Sequence, residues 1–337
     1  MCTTSSSPRK RPTTASSRRA AAVAALLLAA ACGGRQREPY VTYFNGDHGI
    51  SLSYPAGWRG DQAEQDGMWY RYFQAPAVAG QRSPVSVSLL AGPIAVPLEA
   101  YGDSYLAGNK VASSKAEERQ GVPGKSWVYS SADGKTSYRL LLLAQSGKVV
   151  GLYAQGDADA VTKQASALDV MWSSLTVERP DLYPVTDFRD QRASLGIPPS
   201  WRETRRFSGG GTLVANYVSP PLAVDTGGQE VRASLAVTFE AVPEGGGLNE
   251  YYLATRHRLG DNFQVRTHAT FKGGYVDIMR TETPVQASFV KRYSFADAGR
   301  GCSLNFEARE DIFPRTSRWA DYIVSTLRFG ASAGAAK

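Results

Sequence analysis

Apolar and polar residues alternate at period two along 50–54, 68–73 and 85–89, the pattern of strands that bury one face. Leu98, Tyr101 and Tyr105 then recur at spacings of three and four, which predicts a short helix. Residues 126–130, 138–144 and 149–154 follow as strands, joined at Asp133-Gly134 and Ser146-Gly147, two sequences that suit tight hairpins. A helix is expected from about Asp157, whose side chain suits an N-cap, with Val161, Ala165, Leu168 and Trp172 on one face. Farther on, 231–239 alternates, 248–258 has helical spacing, and 263–271, 275–279, 289–295 and 302–308 are strand candidates. Pro314 suits the first turn of a last helix that carries Trp319, Ile323 and Leu327 four apart. Strand runs with helices in the middle and at the end, and no βαβ alternation, predict an α+β fold of antiparallel sheets covered by helices.

The chain also repeats itself. Ser51-Leu52-Ser53-Tyr54-Pro55-Ala56-Gly57-Trp58-Arg59 returns as Ser194-Leu195-Gly196-Ile197-Pro198-Pro199-Ser200-Trp201-Arg202. Residues 85–89 match 231–235, 98–106 match 248–253, and 171–175 match 323–327, in the same order and with offsets drifting from 143 to 152. This predicts a tandem duplication, with one domain over 40–178, a linker over 179–185, a second domain over 186–330 and a frayed tail over 331–337. The linker region is short and Pro-containing, so the two domains should touch with limited hinge freedom.

Tyr54, Pro55 and Trp58, with Pro198 and Trp201, resemble the Tyr-Pro-x-x-Trp turn that ends an early strand in the PsbP-like superfamily. That superfamily includes the extrinsic photosystem subunit and bacterial lipoproteins of the DcrB type, and the final helix leading to a Ser-Leu end is similar too. The resemblance covers nearly all of both repeats and implies two tandem PsbP-like domains, each an antiparallel sheet covered by helices, of a kind that serves as binding or assembly modules. Ile197 stands where the family commonly has an aromatic residue, which makes the second repeat the more divergent. Taken alone, each Pro/Trp pair reads as structural: Pro stops a strand, and Trp folds back over the sheet and buries ~150–250 Å². A ligand platform is the alternative.

Residues 1–19 are polar and basic, 20–31 are an unbroken apolar run, and Cys32 follows, the order of a secretory signal. At ~1.5 Å per residue this run is too short for a bilayer of ~30 Å hydrocarbon. Leu28-Ala29-Ala30-Ala31-Cys32 resembles the lipobox of bacterial lipoproteins, with Leu one place early. The resemblance implies cleavage after the 1–31 signal peptide and lipid, palmitate among the acyl chains, on Cys32, a stable membrane anchor. A plain signal peptide is the alternative. Ser17-Arg18-Arg19 faintly resembles a twin-arginine signal, although Ala21 and Ala22 replace its large apolar residues. Residues 32–39 then form a lipidated tether, of which 33–38 reach only ~20 Å at ~3.5 Å per residue, so the fold stays near its membrane. The expected location is the extracytoplasmic cell envelope. Gly33 rather than Asp after Cys32 resembles lipoproteins that are sorted to an outer membrane.

The leader changes the meaning of the charge. Of 38 basic residues behind the formal +7, five precede Ala20, and no acid precedes Glu38. Without the first 31 residues, 33 basic side chains face 31 acidic ones, and a nucleic-acid partner loses its main support. With 42% hydrophobic and 20% charged residues, the 337-residue chain is globular in composition.

Candidate chemistry is sparse. His48, His257 and His268 have no metal-ligand spacing, so no metal and no cofactor are expected, and each reads as structural or exposed. Once Cys2 leaves and Cys32 is lipidated, Cys302 remains alone and reads as a buried strand residue on the face of Leu304 and Phe306. No nucleophile elbow or phosphate-cradling loop occurs, and the glycine runs at 209–211 and 245–247 read as loops. Arg202, Arg205 and Arg206 read as a solvated loop, or as a patch for anionic lipid. The expectation is therefore a membrane-anchored, non-enzymatic lipoprotein that binds or assembles an envelope protein complex. A small-ligand carrier or sensor is the alternative, and a cell-wall hydrolase using acidic side chains is less favoured.

Overall fold

Hydrophobic alternation becomes antiparallel hairpins in the computed structural model, which describes residues 38–77, 82–259, 262–282 and 286–330. The chain opens with β1 (Tyr40–Asn45), β2 (Ile50–Pro55), β3 (Arg59–Gln65), β4 (Met68–Gln74) and β5 (Val85–Pro93). Helix α1 (Leu98–Leu106) precedes β6 (Lys110–Arg119), β7 (Val122–Ser130), β8 (Thr136–Gln145) and β9 (Lys148–Asp157). Helices α2 (Ala158–Lys163) and α3 (Ala165–Ser174) lead to β10 (Thr176–Val177). After a 3-10 turn at Pro180–Leu182 come β11 (Val185–Phe188), β12 (Ala193–Gly196), β13 (Arg202–Gly209) and β14 (Thr212–Val218). A small hairpin, β15 (Ala223–Val224) and β16 (Glu230–Val231), precedes β17 (Ser234–Ala241) and helix α4 (Leu248–His257). The chain ends with β18 (Phe263–Phe271), β19 (Gly274–Glu282), β20 (Ala287–Asp297), β21 (Arg300–Arg309), helix α5 (Phe313–Ser325) and β22 (Arg328–Phe329).

Each half of the chain holds a seven-stranded sheet, β3-β4-β5-β9-β8-β7-β6 in the first and β13-β14-β17-β21-β20-β19-β18 in the second. A three-stranded sheet accompanies each, β1-β2-β10 and β11-β12-β22. The order is the same in both halves, apart from the extra β15–β16 hairpin of the second. Hairpin turns set the correspondence: Gln120-Gly121 and Ser146-Gly147 match Lys272-Gly273 and Ala298-Gly299, with φ of 47–53° at the first residue and 74–78° at the glycine. Two-residue turns with both φ positive suit the twist of antiparallel strands. Among the described residues no helix is long and apolar enough to cross a membrane.

The paired rows correct several expectations. Ser88 pairs with Tyr153 as Ala236 pairs with Asn305, so 85–89 corresponds to 233–237 rather than to 231–235; Val231 lies in β16, whose hairpin displaces the match by two residues. The helix expected from Asp157 is two helices broken at Gln164, Asp157 makes no side-chain cap, and Ala165 is exposed while Ala167, Leu168, Met171 and Trp172 are buried. Arg202, Arg205 and Arg206 lie on edge strand β13 rather than in a loop, with Arg206 paired to Glu203 at 2.7 Å and 5.1 Å over the Phe188 ring. Strands β3, β6 and β13 carry almost wholly exposed, charged sequences and show no alternation because neither face is deeply buried. Cover by helices is loose: α3 packs mainly on β2 and α5 on β20 and β21, while the short helices α1 and α4 meet mainly β7 and β8 in the first sheet and β20 in the second.

The repeated motif forms the same turn twice. The Trp58 and Trp201 amides donate to the carbonyls of Pro55 and Pro198 at 3.0 and 2.9 Å. Both prolines and both indoles are buried, with Trp201 edge-on to Trp319 at 5.5 Å, and the half-buried Tyr54 lies 4.6 Å from Phe73. Cys32, the 1–31 leader and the 331–337 tail lie outside the described residues.

From Pro39 onward the described residues form one compact unit. Its two halves are joined through β1, whose successive residues serve different cores: Tyr43 packs with Trp69 and Phe73, while Phe44 stacks on Trp319 at 4.0 Å and 16°. Arg315 donates to the Leu222 carbonyl at 2.9 Å and covers the Tyr43 ring at 5.6 Å. The Glu178 carboxylate accepts from Tyr183 (2.5 Å), Trp319 (3.2 Å) and Ser51 (3.4 Å), gathering both halves and the connecting segment. Burial pushes the Glu178 carboxyl up from its ordinary range, against the opposing pull of these hydrogen bonds.

Two outcomes follow from this junction. Phe44→Ala should cost about 3–5 kcal/mol although Phe44 belongs to the first half, measured by urea denaturation of the whole chain. Because folding raises the Glu178 pKa, the native state binds the extra proton, and this group's contribution to stability grows as pH falls from its raised value toward the ordinary carboxylate value. The stability difference between wild type and Glu178→Gln should therefore shift in favour of wild type between pH 7 and about 5.

Candidate functional site

The face of each large sheet that meets the mid-chain helix is where the halves differ most. Across the strands, the residues in register run Asp61, Tyr72, Ser88, Tyr153, Leu140, Trp127, Ser114 in the first sheet. The equivalent row of the second sheet runs Arg205, Asn216, Ala236, Asn305, Arg292, Asp277, His268. One row has an aromatic and aliphatic centre; the other is polar and ionisable through four successive strands.

In the first half α1 approaches the sheet through Gly102, where a Cβ would stand 2.7 Å from the Trp127 ring, so the helix can lie this close only with glycine. Around it the rings of Tyr101, Tyr105, Tyr153, Tyr138 and Tyr129 follow one another at centroid separations of 4.9–6.1 Å. Tyr70 and Tyr72 stack on β4 at 6.1 Å and 5°. Only Tyr129 of these seven is fully buried; the other six are half-buried. Burial raises the pKa of the Tyr70, Tyr105, Tyr129 and Tyr153 hydroxyls, so all four stay protonated at neutral pH.

In the second half Tyr252 takes the place of Gly102, counted from Leu248 and Leu98 at the helix starts, and Asp277 takes that of Trp127. The bulky group has moved from sheet to helix, and a hydrogen bond replaces the close approach. Asp277, only 1% exposed, accepts from the Tyr252 hydroxyl at 3.1 Å and pairs with His268 Nδ1 at 2.7 Å. With the Nδ1 proton assigned to that carboxylate, Nε2 is the acceptor nitrogen of the neutral ring. Arg256 Nη1 donates to the Tyr252 oxygen at 3.1 Å, and buried Arg292 donates to the Thr255 carbonyl at 3.3 Å. Burial raises the Tyr252 pKa and lowers that of Arg292. The His268 side chain keeps 44% of its surface exposed, against the rings of Tyr252 and Tyr275 at 5.3 Å. His268 thus faces a buried acid that spacing alone does not pair with it; the β18–β19 hairpin puts them opposite each other.

The remaining histidines stay apart from this cluster. His48 sits in a turn 5.1 Å from Trp69, with burial lowering its pKa, and exposed His257 ends α4. Cys302 is fully buried beside Leu304 and Phe306, and burial raises its thiol well above the ordinary range. Among the described residues no group of three or more His, Cys, Asp or Glu side chains is placed to hold a metal ion.

No family model matches the chain, and no curated protein does. Among solved structures, cyanobacterial PsbP from Synechocystis is 16% identical, covering 44% of this chain and 97% of its own, with a TM-score of 0.33. LpqN of Mycobacterium tuberculosis, described as involved in cell envelope biogenesis, is 16% identical over 43% of this chain and 88% of its own, with a TM-score of 0.30. The immunity protein TplEi of Pseudomonas aeruginosa is 10% identical, covering 86% of this chain and 97% of its own, with a TM-score of 0.23. Likenesses at this level assign neither activity nor partner.

Filling the α1 contact should be costly. Gly102→Ala is expected to lose about 1–3 kcal/mol by overpacking against Trp127. The same change should cost less in a Trp127→Phe background, a coupling that a double-mutant cycle by urea denaturation measures.

Proposed function

We propose that this protein is a non-enzymatic binding module of a bacterial cell envelope, held at the membrane through lipid on Cys32. In this reading it is built from two tandem PsbP-like domains, and it joins an envelope protein complex through the tyrosine-lined face of the first sheet. The observation that carries the reading is the run of rings from Tyr101 to Tyr129, with Tyr70 and Tyr72 beside it. Six of these seven tyrosines are half-buried, so part of each remains open to solvent. Tyrosines held this way offer large amphipathic contact area while losing little side-chain entropy on binding, which is why they concentrate at the centres of protein interfaces. The lipobox-like sequence and the short tether would keep that face within reach of membrane-bound partners.

A photo-crosslinking residue in place of Tyr72 or Tyr153, in the full-length lipidated chain in native membranes, tests this. One dominant protein adduct is expected, absent when the probe replaces the exposed Leu182 and lost with Cys32→Ala. Equal adducts from the Leu182 position, or no protein adduct from the tyrosine positions, would overturn the reading.

A further inference from the structure

The second half carries an open depression of about 510 Å³ between the C-terminal part of α4 and strands β18 and β19. Its size falls within the ~300–1,000 Å³ of small-molecule sites. Leu253, Leu259, Phe263, Val265 and Met279 line it, Met279 fully buried and Leu253 53% exposed. Among the described residues that line it, the polar ones are Arg256 and His257, and none is a carboxylate.

Arg256 is held at the wall rather than left free. Its Nη1 donates to the Tyr252 hydroxyl, which donates in turn to the buried Asp277 carboxylate, each at 3.1 Å. The guanidinium also lies 5.8 Å from the Tyr252 ring centroid. The negative end of the α4 dipole points this way, and Arg256 and His257 in its last turn offset it. Glu240 is taken up by Arg258 through two bonds of 2.6 Å, and among the described residues lining the depression no carboxylate accompanies Arg256. A depression lined by five apolar side chains, with a positioned cation on its wall, matches a ligand with an apolar body and an anionic group.

We infer that this depression binds a free long-chain carboxylate, with the acyl chain along Leu253, Phe263 and Met279 and the carboxylate on Arg256. This site is separate from the tyrosine face and does not rest on that reading. Calorimetric titration of dodecanoate into the full-length lipidated protein in nanodiscs, against empty nanodiscs, tests it. Saturable binding at one site per chain is expected, with dodecanol weaker by about tenfold or more and dodecyltrimethylammonium weaker still. Arg256→Gln should lose about tenfold for dodecanoate and little for dodecanol. Leu253→Asp, at an exposed position and so expected to melt like wild type, should abolish binding of both. Equal affinity for carboxylate and alcohol, or unchanged binding in correctly folded Leu253→Asp, would overturn the inference.

Discussion

Strand β1 is the constraint on which the arrangement depends. Four of its six residues are buried, so it cannot lie at a surface with one face in water. Because neighbouring side chains on a strand point opposite ways, Tyr43 enters the first core and Phe44 enters the second. The second core is thus completed by a side chain of the first half. Glu178 follows from the same closure: a carboxylate drawn into this seam is tolerable only if hydrogen-bonded, and Tyr183, Trp319 and Ser51 come from the connecting segment, the second half and the first. The connection is therefore part of the packing, with Tyr183 buried, and has little of the character of a free hinge.

With the halves locked, the helix-covered faces are where they diverge. Gly102 against Trp127 and Tyr252 against Asp277 are two solutions to one volume problem, a small helix residue over a large sheet residue and the reverse. The reversal changes the chemistry. Where Trp127 fills the contact, the rest of the face is free to carry packed tyrosines; where Tyr252 fills it, its hydroxyl needs an acceptor, and the buried acid that supplies one brings His268 and Arg256 into the same network. Two sheets of one strand order thus present an aromatic surface on one side and a cation-bearing trough on the other.

What the sequence determined by itself is what depends on neighbours along the chain. Alternation located most of the strands that bury one face, though not β14, three- and four-residue spacing located the helices, and the Pro-x-x-Trp turns and their order marked the parallel between the halves. Each of these is set within a few residues by backbone geometry and local burial. The edge strands β3, β6 and β13 escaped this reading because solvent on their faces removes the pattern. The two-residue error around Val231 arose because an inserted hairpin copied the local spelling of a strand without its place in the sheet.

Only the tertiary structure decided the rest. His268 meets Asp277 because a hairpin sets register, Phe44 meets Trp319 because a strand is shared between cores, and the tyrosines of α1, β4, β7, β8 and β9 meet because sheet order differs from chain order. These contacts join residues from nine to hundreds of positions apart, and their energies depend on desolvation in a particular packed environment. Residue type states what each side chain can offer, while only the fold decides which groups lose their water together.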